Sequence, residues 1–396
     1  MNRPGESESF LPGGPASGSA AGVLPAEQPV AFSEPQTDAT LWAVIFAGGI
    51  GSRFWPLSTP ERPKPLLALV SERTLIEDTV GRLQPVIPPE RVLILTSHDI
   101  APAIRSVTRE VPERNVLVEP RPLGTAAALA WAAQEVARRA GPSAICCTMH
   151  SDLAVDFPAE FRHTLRRAAA HAAREGALVS IGVRPSRPET GFGYVQPGAP
   201  LDASAPLAKG GAAATVGFVE KPSEQEAAER IDSGALWHSG VVIASAGTFL
   251  SELASHTVEV SEALVPLAVG DMDGFVRLVR PASVERGLLE RTRRLLVVAG
   301  EFGWDDVGTW ASLRRARELD DDGNGAVGPA HFSDSECNVV HSEAGTVVLY
   351  GVSHLLVVSL DGLTFVTTLA RSSDLNPLLD TLPGSMRIHP KQNGNP

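Results

Sequence analysis

The segment FAGGIGSRFWPLSTPERPKPLL, Phe46 to Leu67, sets a glycine-rich turn, an arginine and a lysine held between prolines directly behind an apolar run. Gly48, Gly49 and Gly51 carry no side chain, so backbone amides there can approach an anion, although a tight strand-to-helix turn accounts for the same glycines. The spacing is neither that of a Walker A loop, since no Gly-Lys-Ser/Thr follows, nor that of the dinucleotide-binding fingerprint. Arg53, Arg62 and Lys64 come next. Lysine occurs only at positions 64, 209, 221 and 391, so thirty of the 34 basic residues are arginine. A lysine kept in RPKP or EKP then suggests that a compact point charge is needed, with chance placement as the competing account.

Carboxylates that could answer those cations lie far off in sequence. Asp152 follows the apolar run AICCTM, at the carboxyl end of an expected strand, where ligands bind in open α/β sheets. Asp305 and Asp306, in EFGWDDVGTW, again fall just past a strand. Magnesium takes one or two carboxylates plus phosphate oxygens and water, so two aspartates from distant segments suffice for it, whereas helix capping explains any one of them alone. In GFVEKP, Glu220 and Lys221 must point apart, so one can address hydroxyls and the other a phosphate; an exposed edge with two solvated charges is the bland alternative. His238 and Ser239 lie in LWHSG, between an expected helix and the next strand, and a buried structural histidine is the competing account of His238. Neither a Ser/His/Asp order nor a metal-type histidine spacing nor a pair of catalytic carboxylates stands out, which argues against covalent hydrolysis.

Those residues need a scaffold. From Leu41 short apolar runs (LWAVIFA, RVLILTS, NVLVEP, SAICCTM) alternate with helix-like segments (ERTLIEDTVGRLQPV, APAIRSVTREV, TAAALAWAAQEVARRA), the signature of a parallel sheet covered on both faces. The expectation is a doubly wound α/β domain over 41–319, its sheet mixed once the less regular second half is included. Its second half is less regular, with strands expected at ALVSIGV, GYVQP, VGFVEKP, SGVVIAS and RLLVVAG, and a surface loop at GAPLDASAPLAKGGAAAT. A hinge over 320–326 (DDDGNGA) leads to a small all-β, β-helix-like unit over 327–385, and a tail over 386–396. Residues 1–40, rich in Gly, Pro, Ser and Ala and without a basic start followed by an apolar block, read as a disordered tail rather than a leader.

At 396 residues, 43% hydrophobic and 20% charged, the chain has room for one large and one small core. A net charge of −12 disfavours nucleic acid. Absence of a long apolar stretch disfavours a membrane span, and three cysteines without metal spacing suit a reducing cytoplasm.

Taken in order, AGGIGSRFWPLS, PKPLL, EPRPLGTAAAL, GFGYV, FVEKP, LWHSG and FGWDDVGTW resemble the mannose-1-phosphate guanylyltransferase family of sugar-1-phosphate nucleotidyltransferases, over Leu41 to about Leu379. The resemblance implies a Rossmann-like sheet domain that joins GTP to mannose 1-phosphate with release of pyrophosphate and use of Mg2+; a homodimer is one assembly the sequence leaves open. It implies a nucleotide loop at Ala47, Gly48, Gly49, Gly51 and Ser52, continued by Glu119, Gly124 and Thr125. Catalytic cations fall on Arg53, Lys64 and Lys221, metal ligands on Asp152 and Asp306, and sugar-side residues on Gly193, Glu220, His238 and Ser239. An ionised Glu119 only accepts hydrogen bonds, and guanine alone offers two adjacent donors on its pairing edge, so Glu119 is expected to select GTP. The chain departs from the family pattern at HSDL, where Leu153 replaces a histidine, at WHSG, where His238 replaces an amide, at SVE, where Glu285 is longer by a methylene, and at PKPL. Most of these changes lie on the sugar side, so they bear on the sugar more than on the reaction. A manno-heptose phosphate is the nearest alternative substrate, and a non-catalytic nucleotide-sugar-binding paralogue is the alternative of another class.

Overall fold

The computed structural model describes residues 40–49, 51–315 and 319–384, with the side chains of 311 and 315 left aside. Most of the two terminal tails expected from composition therefore lies outside the described residues. The apolar runs become strands β1 (Leu41–Phe46), β2 (Val92–Ser97), β3 (Val116–Glu119) and β4 (Ile145–His150), followed by β5 (Leu153–Val155), β6 (Leu178–Val183), β7 (Gly193–Pro200), β8 (Ala212–Glu220), β9 (Leu236–Ser245), β10 (Leu295–Ala299) and β11 (Trp304–Asp306). Nine of them form one sheet in the order β3-β2-β1-β4-β9-β6-β10-β8-β7. The first four run parallel, β9 enters antiparallel to both β4 and β6, and β8 and β7 close the far edge antiparallel.

Alternation along β4 sends neighbouring side chains to opposite faces. Cys147 joins the core under α1 (Leu75–Leu83) and α3 (Pro158–Glu175), whereas Cys146 joins the core under α2 (Thr125–Ala140) and α4 (Ala246–His256). Burial pushes the Cys147 thiol up to about 12, so it stays protonated. Helix α1 starts at a capping box, with Thr74 accepting from the Glu77 N–H and the Glu77 side chain accepting from the Thr74 N–H. Alanine occupies most of the buried face of α2, which lets that helix lie close against the sheet.

Two local expectations shift. Residues 198–200 continue β7, and Ala212 to Thr215 lie in β8, where Ala212, Ala213 and Ala214 pair with Val298, Val297 and Leu296 of β10; the loop is confined to 201–211 because small residues in register with a strand hydrogen-bond as well as large ones. Asp305 and Asp306, expected just beyond a strand, lie inside β11, which pairs antiparallel with β5.

Beyond α-helical residues 310–315 come β12 (Gly325–Val327), β13 (Ala330–Ser333), β14 (Val339–Ser342), β15 (Val347–Tyr350), β16 (Leu355–Leu360) and β17 (Leu363–Thr368). Pairings β12–β14–β16 and β13–β15 are parallel, and β17 returns antiparallel along β16. A buried asparagine ladder pins the register. Asn338 donates from Nδ2 to Asn324 Oδ1 (2.9 Å) and to the Val352 carbonyl (3.0 Å), and its Oδ1 accepts from the Leu355 N–H (2.9 Å). Removing it leaves buried backbone groups unpaired. Asn338→Ala is expected to lower unfolding free energy by about 3 kcal/mol, read by denaturant titration of the full chain.

Candidate active site

Four parallel strands deliver their carboxyl ends to one cleft of about 400 Å³, lined by Gly48, Gly49, Gly51, Arg53, Lys64, Glu119, Gly124, Thr125, His150 and Asp152 among others. Gly51 is left-handed (φ 74°), and a Cβ there would sit 2.5 Å from the Cβ of Lys64. Glycine at that point is what brings the loop onto the lysine. Ala47 is buried beneath the loop; its N–H donates to the Leu95 carbonyl and its own carbonyl accepts from Thr96 Oγ1. Ser52 opens a short 3-10 turn, exposed like Arg53 beside it.

Lys64 is nearly buried, yet its Nζ reaches Asp152 Oδ2 at 2.5 Å. Asp152 occupies the turn between β4 and β5, held from behind by Ser151 N–H to Phe46 O, Thr79 Oγ1 to Ser151 O and Arg82 Nη1 to Leu153 O. Asp306 is opposite Leu153 in the β5–β11 register, one residue from Asp152. Burial opposes charge on Asp152, but Lys64 and His150 hold its carboxyl below the usual carboxylate range. Asp306 goes the other way: burial, aided by Asp152 and Asp305, pushes it up to about 6 against the pull of Lys64 and Arg53. Asp152 and Asp306 carry hard oxygen donors of the kind a divalent cation takes, and one of those oxygens is engaged by Lys64. Among the described residues no cluster of three or more His, Cys, Asp or Glu forms a closed metal site, so further ligands would come from phosphate and water.

Glu119 ends β3 and faces Gly48 across the cleft; a Cβ on Gly48 would come within 3.8 Å of its Oε2. Its Oε1 is buried with no hydrogen-bond partner among the described residues. Burial pushes this carboxyl up to about 7, although the Leu123 N–H favours its ionised form. Gly124 (φ 83°) has no room for a side chain, because a Cβ would lie 2.5 Å from the Ala282 carbonyl oxygen. Thr125 Oγ1 accepts from the Val284 N–H at 2.9 Å.

The residues expected on the sugar side lie outside the lining of that cleft, and they do not share one recess. Glu220 and Lys221 line a recess of about 540 Å³ with Ser283, Glu285, Arg286 and Arg291. Lys221 is held at φ 54°, a conformation that costs a non-glycine residue about 1 kcal/mol or more, and its Nζ is 3.2 Å from Glu220 Oε1. Gly193 pairs with Glu220, and a Cβ on it would strike Glu220 Oε2 and Phe218 at 2.8 Å. His238 is buried on β9, its Nδ1 2.8 Å from Ser180 Oγ and its Nε2 without a partner among the described residues. Ser239 is fully buried and donates to the Ile181 carbonyl, while its own carbonyl accepts from Trp304 Nε1 on β11.

Sequence reasoning passed over His150 and Arg286. His150 lies at the end of β4, packs against Phe46 and feels the same Glu285 as His238 does. Burial drives His238 toward its neutral form; for Glu285 burial opposes charge, but His150 and His238 outweigh it and keep the carboxyl low. In the pattern HSD spacing marks only the aspartate, and the signal that His150 offers is its position at the end of a strand.

A mixed sheet with helices on both faces, a glycine-rich loop at its carboxyl edge and strands added at the C-terminus make an α/β nucleotidyltransferase fold. The family model "Nucleotidyl transferase" matches residues 42–323, and the chain belongs to that family. It is 31% identical over 351 residues to the mannose-1-phosphate guanylyltransferase of Sinorhizobium fredii, covering 85% of this chain and 67% of that one. A protein of the same name from Klebsiella pneumoniae is 31% identical over 366 residues, 89% of this chain and 76% of that one. The crystal structure of a Thermus thermophilus protein described as mannose-1-phosphate geranyltransferase superposes with a TM-score of 0.78 at 32% identity, covering 86% of this chain and 98% of that one. The chain thus spans about two thirds to three quarters of the length of these two curated relatives.

The raised Glu119 pKa has a testable sign. Because the folded value exceeds the unfolded one, protonation of Glu119 favours the fold at low pH, and that contribution is lost as pH rises through about 7. Glu119→Gln, which cannot ionise, is expected to gain about 1–2 kcal/mol on the parent chain between pH 5 and pH 8, after allowance for partial solvent screening. Denaturant midpoints at the two pH values check it.

Proposed function

We propose that this chain transfers a guanylyl group from GTP to mannose 1-phosphate, giving GDP-mannose and pyrophosphate. The observation that carries the reading is the convergence in one cleft of Lys64, Asp152, the Gly48–Gly51 loop and a Glu119 carboxylate whose Oε1 has no partner among the described residues. The names of the relatives from S. fredii and K. pneumoniae support the same substrates.

In this reading the loop amides receive the triphosphate, and Arg53 and Lys64 take up the charge of the departing pyrophosphate. Lys64 gives up Asp152 as it does so. The donor set of Asp152 and Asp306 suits Mg2+, which when bound would neutralise charge on the phosphate oxygens. Glu119, once ionised, accepts from the ring N–H and the amino group of guanine, which supplies the missing partner of Oε1. Lys221 holds the sugar phosphate in line with the α-phosphorus, and Glu220 addresses the sugar hydroxyls. No general base is required, because the attacking phosphate oxygen is already an anion. The sheet reads as Rossmann-like and doubly wound, and the parallel C-terminal strands with their asparagine ladder as a short β-helix. Free buried thiols fit a reducing cytoplasm. No helix among the described residues is long and apolar enough to cross a membrane.

A matrix of four nucleoside triphosphates against several sugar 1-phosphates, read by product mass, is expected to give GDP-mannose as the dominant product. A heptose product in its place would transfer the reading to another sugar, and binding of GDP-mannose without turnover would make the chain a sensor. In the same assay Glu119→Gln is expected to reduce the preference for GTP over ATP, UTP and dTTP by about tenfold or more, since a neutral amide satisfies one guanine donor at most. An unchanged preference would remove Glu119 from base selection.

A further inference from the structure

We infer that Glu343, in the C-terminal strand region, is a positioning residue for the loop that carries Arg53 and Lys64, and that it acts through Arg62. The inference rests on the reading of the cleft as the triphosphate site.

Arg62 is separated from Lys64 by Pro63 alone. Its turn is closed on itself, with the Thr59 N–H donating to the Arg62 carbonyl and the Arg62 N–H to the Thr59 carbonyl, both at 3.1 Å. Pro60, Pro63 and Pro65 restrict φ around that turn, so the segment moves as a stiff piece and needs few anchors. One anchor is ionic: Arg62 Nη2 meets Glu343 Oε1 at 2.7 Å, with both side chains partly buried. Such a pair is less screened than one in open solvent. Glu343 is itself fixed to the strands behind it. Its N–H donates to the Ser359 carbonyl at 2.9 Å, and Ser342 Oγ and Ser359 Oγ both donate to the Ala344 carbonyl. His341 Nε2 lies 3.6 Å from the same Oε1. That histidine and Arg62 outweigh burial and hold the Glu343 carboxyl well below the usual range, so it stays charged wherever the protein is handled.

Apolar contacts secure both ends of the same loop. Phe54, Trp55, Leu57 and Leu67 share one core with Val339, Leu356, Val358 and Phe365 of the C-terminal strands, and the Trp55 and Phe365 rings meet edge to face at 5.2 Å. In the middle of the loop, immediately before Lys64, Arg62 adds its ion pair with Glu343. Lys64 must hold its position when a phosphate replaces Asp152 as its partner, and an error of about 1 Å at a charge-stabilising group is enough to cost on the order of a hundredfold in rate. A Glu343 that only stabilised the fold would affect both substrates alike; a Glu343 that sets Lys64 affects the triphosphate.

The test uses the full chain and three proteins: wild type, Glu343→Gln, and the exchange Arg62→Glu with Glu343→Arg. GTP affinity is titrated without sugar phosphate, and kcat and both KM values are measured alongside Tm. Glu343→Gln is expected to weaken GTP binding about tenfold and to leave KM for the sugar phosphate within about twofold, with the exchange recovering most of the loss. GTP affinity and turnover within about twofold of wild type in Glu343→Gln would overturn the inference, as would a loss shared equally by both substrates and not recovered by the exchange. A wild-type chain that binds no nucleoside triphosphate would overturn the reading of the cleft together with the inference. Normal wild-type binding with an unaffected variant overturns the positioning role alone.

Discussion

Burial of charge is the constraint on which the rest of this structure depends. The β5–β11 pairing sets Asp306 opposite Leu153, one residue from Asp152, and burial, with Asp152 and Asp305 adding to it, makes Asp306 resist ionisation. Carboxylates so desolvated persist where cations are close, and the fold delivers them from one loop: Lys64 in contact with Asp152, and Arg53 near enough to lower the Asp306 pKa. Gly51 lets that loop lie on Lys64, and the apolar cores on both sheet faces keep the strand ends that carry the carboxylates fixed. The glycine turn, the lysine and the paired acids are parts of one charge balance.

Much of this was legible because the physics is local. Apolar runs bounded by turn residues marked β1 to β4, and alternation along SAICCTM placed its two cysteines on opposite faces. Asp152 and Lys221 stood out because each follows a hydrophobic run, which is where a sheet presents its ligands, whereas Glu119 was marked by the family resemblance. What stayed hidden was set by pairing between distant segments. That Asp306 lies within a strand depends on β5, the short loop at 201–211 depends on β10 accepting alanines, and the contact of Arg62 with Glu343 leaves no trace in residue spacing. His150 was missed for another reason: a histidine between a strand and an aspartate has no periodicity to mark it.

The two recesses differ in character. The larger share of backbone amides and glycines lines the first, suited to an anion and a flat base, while the second has a denser set of charged side chains, among them Glu220, Lys221, Glu285 and Arg286. His150 opens on the first and interacts electrostatically with Glu285, which lines the second. Of the departures from the family pattern, Glu285 lines the second space, and His238 is buried within electrostatic reach of both Glu285 and His150.

Between those spaces the chain is stitched to itself. Gly124 packs against Ala282 with no room for a methyl group, the Ala126 N–H donates to the Ala282 carbonyl, and Thr125 accepts from Val284. The floor of one chamber and the wall of the other are thus a single rigid seam. Neither chamber can widen or narrow at this boundary by itself, and a molecule settling into the first leaves its neighbour with less freedom to lose.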